Sequence, residues 1–324
     1  MAKSNENWAL MMSAAKQYYQ LGLSQDIIAK NLYVSKSTVS RLIKRAVELG
    51  YIEFKINNFG ETDEMLQNEF QEHFGVKTTV LPTLIDSIEV RLNDVCAFAA
   101  KEIFDQIQDG ESIGLPWGRT VEYLAANLNE QPAEHSNLKV CMLNGFVSSS
   151  INSMRAIHIV EKLAAMLNAT GYMMPCPLVV DSPDVKEKLL ADASVRAAYD
   201  VAAATDTVIV SVGPADLTNT YLTELRSDVA EQLRAPYGVG NLAGRVYDIN
   251  GVEIHTALYD RLMSIPIHEL AAKKKRICIA VGEYKARAVL GLLRGSVVSR
   301  LYTDVNTARE ILRIEKETNA RWRA

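Results

Sequence analysis

Through the first fifty residues, apolar positions recur every three or four places, the spacing of amphipathic helices. WALMMSAAKQYYQL at 8–21 reads as one helix, ended by Gly22. Ser24 is placed to cap a second, whose apolar stripe is Ile27, Ile28 and Leu32. Ser35 caps a third over 36–49, with Val39, Leu42, Ile43 and Ala46 facing inward and Gly50 closing it. Residues 51–57 (YIEFKIN) then alternate like a strand, a boundary follows near 57–61, and 62–74 read as a linker helix.

After Gly75 the rhythm changes to short apolar runs separated by longer periodic stretches. Strands are predicted at 78–82, 112–115, 139–143, 170–174, 207–212, 276–281 and 298–303. Helices are predicted at 88–108, 120–128, 153–168, 184–203, 221–234, 284–293 and 306–317. Such alternation predicts an α/β domain with a doubly wound, mostly parallel sheet covered on both faces. The chain thus divides into 1–57, a linker over 58–75, and a larger domain over 76–324. Ligands of such sheets bind beyond the carboxyl ends of the strands, so those ends are where chemistry is sought.

Within the first domain, the positions counted from Gln25 are more specific than any single helix. Ile28, Leu32, Val34, Val39 and Leu42 are apolar, and the small Ala29 sits where two crossing helices approach. That set is a helix-turn-helix spacing, with 51–57 as the wing of a winged helix. Tyr33 departs from it, standing at the tight turn where glycine is usual. Behind the cap Ser35, the residues Lys36, Ser37, Thr38, Ser40, Arg41 and Lys44 face away from the apolar stripe. Cations reach phosphates or guanine edges and short hydroxyls permit close approach, a surface suited to the DNA major groove. A helical protein-interaction module is the competing reading.

Charge supports the split. Residues 1–57 hold eight Lys and Arg against four Asp and Glu, a charge of +4, within a chain of −4 overall. A basic head on an acidic body suggests that the head alone meets a polyanion. The four cysteines, Cys96, Cys141, Cys176 and Cys278, lie far apart in apolar stretches and read as buried, reduced thiols. No apolar run approaches the roughly 18 residues of a membrane span, and MAKSNENWAL has no apolar signal core, so a cytoplasmic chain is expected. The five histidines show no ligand spacing, and neither a metal nor a cofactor is implied.

Four predicted strand ends carry candidate chemistry. GLPWGRT at 114–120 leaves a strand and enters a helix, where backbone N–H groups at Gly118 and Thr120 can hold an anion. It is one residue short of a P-loop and has Arg for Lys. NGFVSSS at 144–150 offers Asn144, Gly145 and Ser148 as a polar nest for a phosphate or sugar. DING at 248–251 reads as a hairpin turn, from which Asp248 could reach sugar hydroxyls. GEYK at 282–285 sets Glu283 and Lys285 at one sheet end, a pairing suited to an anionic polyol.

In order along the chain, LSQDIIAKNLYVSKSTVSRLIKRAVELGYIEFKIN (23–57), GLPWGRT (114–120), LNGF (143–146), DTVIVSVG (206–213), VGNLAGRVYDINGVEI (239–254) and GEYKARAVLGLLRG (282–295) resemble the SorC/DeoR-type sugar-responsive transcriptional regulators. The resemblance covers essentially the whole chain. It implies a winged-helix DNA-binding domain joined to an effector domain similar to the sugar-phosphate isomerase and deaminase fold. It also implies a homo-tetramer (a dimer of dimers) on operator double-stranded DNA, with a sugar or sugar phosphate as effector. By position it places effector contacts at Gly145, Ser148, Asp248, Glu283 and Lys285. Phe146 stands where the family often has a second glycine, and its ring would crowd a backbone phosphate nest. Two classes follow: an effector-gated regulator that is not an enzyme, or an isomerase or deaminase carrying a DNA-binding head. Catalysis would need a converging acid and base, and no acidic loop of the D-G-A-D kind occurs.

Overall fold

The computed structural model describes residues 2–52, 62–128, 136–146, 151–215, 231–232, 235 and 237–323. The chain forms two compact units, 1–57 and 58–324.

In the first unit, α1 (Ala2–Tyr19), α2 (Gln25–Leu32) and α3 (Lys36–Glu48) enclose a small core of Ala14, Ile28, Val39 and Ile43, continued by Met11, Ala15 and Ala46. Both predicted caps form: Ser24 Oγ accepts the Ile27 N–H at 3.4 Å and Ser35 Oγ accepts the Thr38 N–H at 3.2 Å. Leu32, Val34 and Leu42 pack half-buried against the core. Ile27 does not join the stripe; it is exposed, because its neighbour Ile28 takes the inward position. Tyr33 adopts the left-handed conformation (φ 55°), and the Val34 N–H closes the turn on the Ala29 carbonyl. The wing predicted at 51–57 lies largely outside the described residues.

Among the described residues, the main sheet of the second unit has seven strands: β1 (Lys77–Leu81), β2 (Ser112–Leu115), β3 (Lys139–Met142), β4 (Thr170–Tyr172), β5 (Thr207–Val210), β9 (Lys275–Ile279) and β10 (Arg300–Asp304). Their order is β1-β10-β9-β5-β2-β3-β4, and every pair is parallel. All seven predicted strands are therefore present, with ends displaced by up to two residues. A three-stranded antiparallel sheet of β6 (Gly213–Pro214), β7 (Gly240–Leu242) and β8 (Arg245–Tyr247) was not predicted. Strands of two or three residues are too short to show an alternation.

Alternate strand residues feed two cores. Val140 and Met142 face one layer, Cys141 and Leu143 the other; Ile209 is flanked by Val208 and Val210 in the same way. Helices α5 (Ile88–Phe104), α6 (Arg119–Asn127) and α7 (Ile151–Leu167) cover the first layer. The helices Ala286–Arg294 and Val305–Arg323 cover the second, together with α9 (Ala193–Ala203). The helix predicted over 184–203 is in fact two, α8 (Pro183–Ala191) and α9, because the Asp192 carboxylate accepts the Ser194 and Val195 N–H groups and starts a new helix. The helix predicted over 221–234 lies outside the described residues, apart from 231–232.

The expected linker helix belongs to this unit. In α4 (Glu64–Phe74), Leu66 and Phe70 enter the second core, and Gln67 Oε1 accepts the Val80 N–H at 3.1 Å. Its exposed residues are the solvent side of a packed helix. A fragment starting at Asn58 is therefore expected to unfold cooperatively on its own. Phe70→Ala in that fragment should lower its stability by about 3–5 kcal/mol, the cost of an emptied aromatic site. Urea denaturation followed by circular dichroism measures both; an unchanged midpoint for Phe70→Ala would show that α4 is dispensable.

Candidate functional site

From β2 the chain winds outward through β3 and β4; from β5 it winds the other way through β9 and β10. The strand order reverses between β2 and β5, so the connections leaving those two strands diverge, the place beyond the carboxyl ends where ligands of such sheets bind. Lys285 reaches into this place. Its Nζ donates to Ser211 Oγ, just after β5, at 3.2 Å, and lies 3.5 Å from Thr120 Oγ1, in the first turn of α6 after β2. Lys285 itself belongs to a 3₁₀ turn (Glu283–Lys285) that follows β9. Three strand ends thus meet on one ammonium.

The ammonium has no carboxylate within 4.0 Å among the described residues. The residue keeps some solvent contact, yet burial of its amine lowers the pKa to about 8, and the positive charge of Arg119 acts in the same direction. Cys96 and Cys278 lie close by, but burial pushes both thiols up to about 12, so they are neutral and supply no countercharge. Exposed Arg119 begins α6, whose cap residue Gly118 offers no side chain to the first-turn N–H groups. Gly118 has φ 152°, and the space where its side chain would stand is open. Two cations, a helix N-terminus and two hydroxyls are groups whose chemistry could hold an anion.

The turn that carries Lys285 is held from beneath. Arg91, buried on α5, donates to both Glu283 oxygens at 3.2 Å and to Asp304 Oδ1 at 2.9 Å. Asp304 Oδ2 accepts the Thr307 hydroxyl at 2.7 Å, and Thr307 Oγ1 accepts the Gly282 N–H at 2.8 Å. Burial works against the Glu283 charge, but the hydrogen bonds from Arg91 outweigh it and keep its carboxyl below the usual range. Gly282 sits at φ 110°, where a Cβ would stand 2.4 Å from the Tyr284 ring. Glu283 is expected to accept ligand hydroxyls; each of its oxygens already accepts one hydrogen bond from Arg91, which fixes the turn. Arg91 and Asp304 escaped the sequence reading. The available signal was a lone arginine on the stripe of Leu92, Val95 and Ala99, a position that buries charge when a partner waits.

The other candidates are placed differently. Asn144 and Gly145 follow β3 at the same sheet edge, but the Gly145 N–H donates to the Met263 carbonyl at 2.9 Å and the Phe146 N–H to the Cys176 carbonyl at 3.0 Å. Neither amide is free for an anion, so the expected backbone nest is not formed by these two residues. A Cβ on Gly145 would stand 2.5 Å from the Cys176 oxygen, which explains the glycine by close backbone passage. Ser148 lies outside the described residues. Asp248 closes its hairpin by accepting the Asn250 N–H at 2.9 Å and the Val252 N–H at 3.0 Å. Its carbonyl meets the helix Ala286–Arg294 at Gly291, more than one turn beyond Lys285. The four cysteines are buried and free, and no group of three or more His, Cys, Asp or Glu able to hold a metal occurs among the described residues.

On α3 the exposed positions include Lys36, Ser37, Ser40, Arg41, Lys44 and Arg45. Thr38 is half-buried, and Ser35 works as the helix cap, its hydroxyl also within 2.9 Å of Ser37 Oγ. Lys36 pairs with Asp26 of α2 at 2.8 Å and Lys44 faces Glu48 at 3.7 Å, both in solvent.

Residues 60–313 match the family model Sugar-bind, described as "Putative sugar-binding domain". The chain belongs to this family. Its relatives in the sugar-binding family are regulators of the SorC/DeoR type. The chain is 26% identical to the deoxyribonucleoside regulator of Bacillus subtilis (strain 168) over 95% of its own length and 98% of that protein. It is 25% identical to the sorbitol operon regulator of Klebsiella pneumoniae, over 96% and 100%. The crystal structure of the full-length sorbitol operon regulator SorC from the same organism superposes with a TM-score of 0.71 at 26% identity, covering 94% and 98% of the two chains. The mixed α/β architecture with a mostly parallel sheet is thus shared along nearly the whole chain. No described helix is long and apolar enough to cross a membrane.

A lysine whose pKa falls on folding costs stability while it is charged, and that cost fades as pH rises from the folded value near 8 towards the unfolded 10.5. Lys285→Met is therefore expected to be more stable than wild type at pH 7, by about 1–3 kcal/mol. The advantage should shrink above pH 8. Denaturant titrations at pH 7 and pH 10 check it; equal stability of the two proteins at pH 7 would show that the amine is not held against its charge.

Proposed function

We propose that the protein is a DNA-binding transcriptional regulator of a carbohydrate-utilisation operon, gated by an anionic sugar, most simply a sugar phosphate. The observation that carries this reading is the Lys285 ammonium at the point where strand order reverses, hydrogen-bonded to Thr120 and Ser211 and without a carboxylate within 4.0 Å among the described residues. Arg119, Gly118 and Thr120 complete the anion pocket, and Asn144 is assigned to the sugar end of the same site. The relatives' names, regulators of sorbitol, deoxyribonucleoside and erythritol use, support a small polyol or sugar as signal.

In this reading the head is a winged helix-turn-helix, and α3 enters the major groove with Lys36, Ser37, Ser40, Arg41 and Lys44 towards DNA. Lys36 exchanges Asp26 for a phosphate on binding. The sheet unit is the effector domain of an isomerase-like fold, and the protein acts in the cytoplasm as a tetramer on its operator. Engagement of Glu283 by Arg91 supports binding over catalysis, since proton transfer on a sugar needs a free base.

Two substitutions test the two ends separately. A thermal-shift screen of free and phosphorylated sugars identifies the ligand, since saturation at a hundred times Kd stabilises by about 2.7 kcal/mol. Calorimetry with that sugar should then give Lys285→Ala a Kd raised by about 10- to 150-fold, the worth of one charged hydrogen bond. An unchanged Kd would remove Lys285 from the site. Arg41→Ala should weaken duplex DNA binding by about 1–3 kcal/mol and relax sequence preference at one base pair. Unchanged affinity and preference would remove α3 from the groove.

A further inference from the structure

Tyr33 is the departure from the helix-turn-helix pattern, and the fold does not account for it. Its backbone lies at φ 55°, ψ 40°, a conformation that glycine or asparagine enters readily and a bulky side chain does not. Buried aromatic residues can offset such strain by packing, but Tyr33 is 96% exposed, so its ring contributes almost nothing to the core. The turn itself is closed by backbone groups, the Tyr33 N–H to the Lys30 carbonyl and the Val34 N–H to the Ala29 carbonyl, which any residue would supply. A strained, solvent-facing phenol is thus retained where the chain would be easier to fold without it.

Its position suggests the reason. The turn is two residues from the amino end of α3, and Ser35, Lys36 and Ser37 are exposed beside it. Lys30, in the last turn of α2, brings a further cation to the same end. A phenol here presents a flat apolar ring and one hydroxyl, the chemistry that meets a deoxyribose face and its phosphate oxygen. We propose that Tyr33 is a contact to the sugar–phosphate backbone of duplex DNA at the edge of the groove that α3 enters, fixing the depth and register of that helix. The inference rests on the reading of α3 as the DNA-facing helix.

The probe is a fluorescent duplex enriched by the full-length wild-type protein from a random pool, with binding followed by anisotropy. Tyr33→Gly should bind it about tenfold or more weakly, as for a lost hydrogen bond to a charged acceptor, while the unfolding temperature of the head does not fall. Tyr33→Phe should lie between the two, keeping the ring and losing the hydroxyl. The dependence of affinity on salt should stay as in wild type, because no cation has been removed. Tyr33→Gly binding within twofold of wild type overturns the proposal, and would leave the ring to a protein partner. Arg41→Ala separates the two failures: if it weakens binding and Tyr33→Gly does not, only the Tyr33 contact falls. If wild type enriches no duplex, the DNA reading of α3 falls with it.

Discussion

An ammonium enclosed by protein and faced by two neutral hydroxyls is an incomplete interaction. Folding removes part of its hydration and returns hydrogen bonds donated to the Ser211 and Thr120 hydroxyls, but no opposite charge within ion-pair distance among the described residues. Neutralising the amine is one relief, and the lowered pKa of Lys285 expresses it. An anion is the other. The position matters as much as the charge, because ligands of such sheets bind where the strand order reverses, here between β2 and β5. Strands packed through their apolar faces thus bring this positive charge to one fixed spot.

Arg91 fixes that spot. By pairing with Glu283 and Asp304 it takes up the carboxylate nearest to Lys285 in sequence and ties the turn after β9 to α5 and to the end of β10. Buried pairs of this kind add little net stability, yet breaking one by removing a single partner is costly, about 3–5 kcal/mol. Their contribution here is positional: the Gly282 amide, Thr307 and Asp304 form a continuous hydrogen-bonded series that leaves the turn little freedom. Because the series reaches the last helix through Thr307, the turn that carries Lys285 is tied to the sheet, to α5 and to the C-terminal helix.

Much of this was readable from residue pattern. Strands such as 207–210 are buried on both faces and show as unbroken apolar runs, and Ser24 and Ser35 announce their helices by chemistry that is local. The place of Lys285 at a strand end was legible because GEYK follows the run ICIAV. What escaped depended on distant partners. Phe70 looked like one face of a free helix until its sheet was in place, and Gly145 looked like a phosphate nest until the 176–177 backbone crossed it. Arg91 was indistinguishable from a surface arginine without Asp304, 213 residues further on. Asp192 split a helix through a side-chain cap that periodicity does not register.

The central claim, that a buried amine awaits an anion, has a direct spectroscopic measure. With lysine labelled at Cε, the resonance that disappears in Lys285→Met belongs to Lys285, and its shift can be followed against pH. Without ligand it should titrate near 8, and saturation with the phosphorylated sugar found by screening should move the titration upward, because a bound anion favours the charged amine. A resonance that titrates near 10.5 without ligand, or one that the bound sugar phosphate leaves in place, would contradict the account.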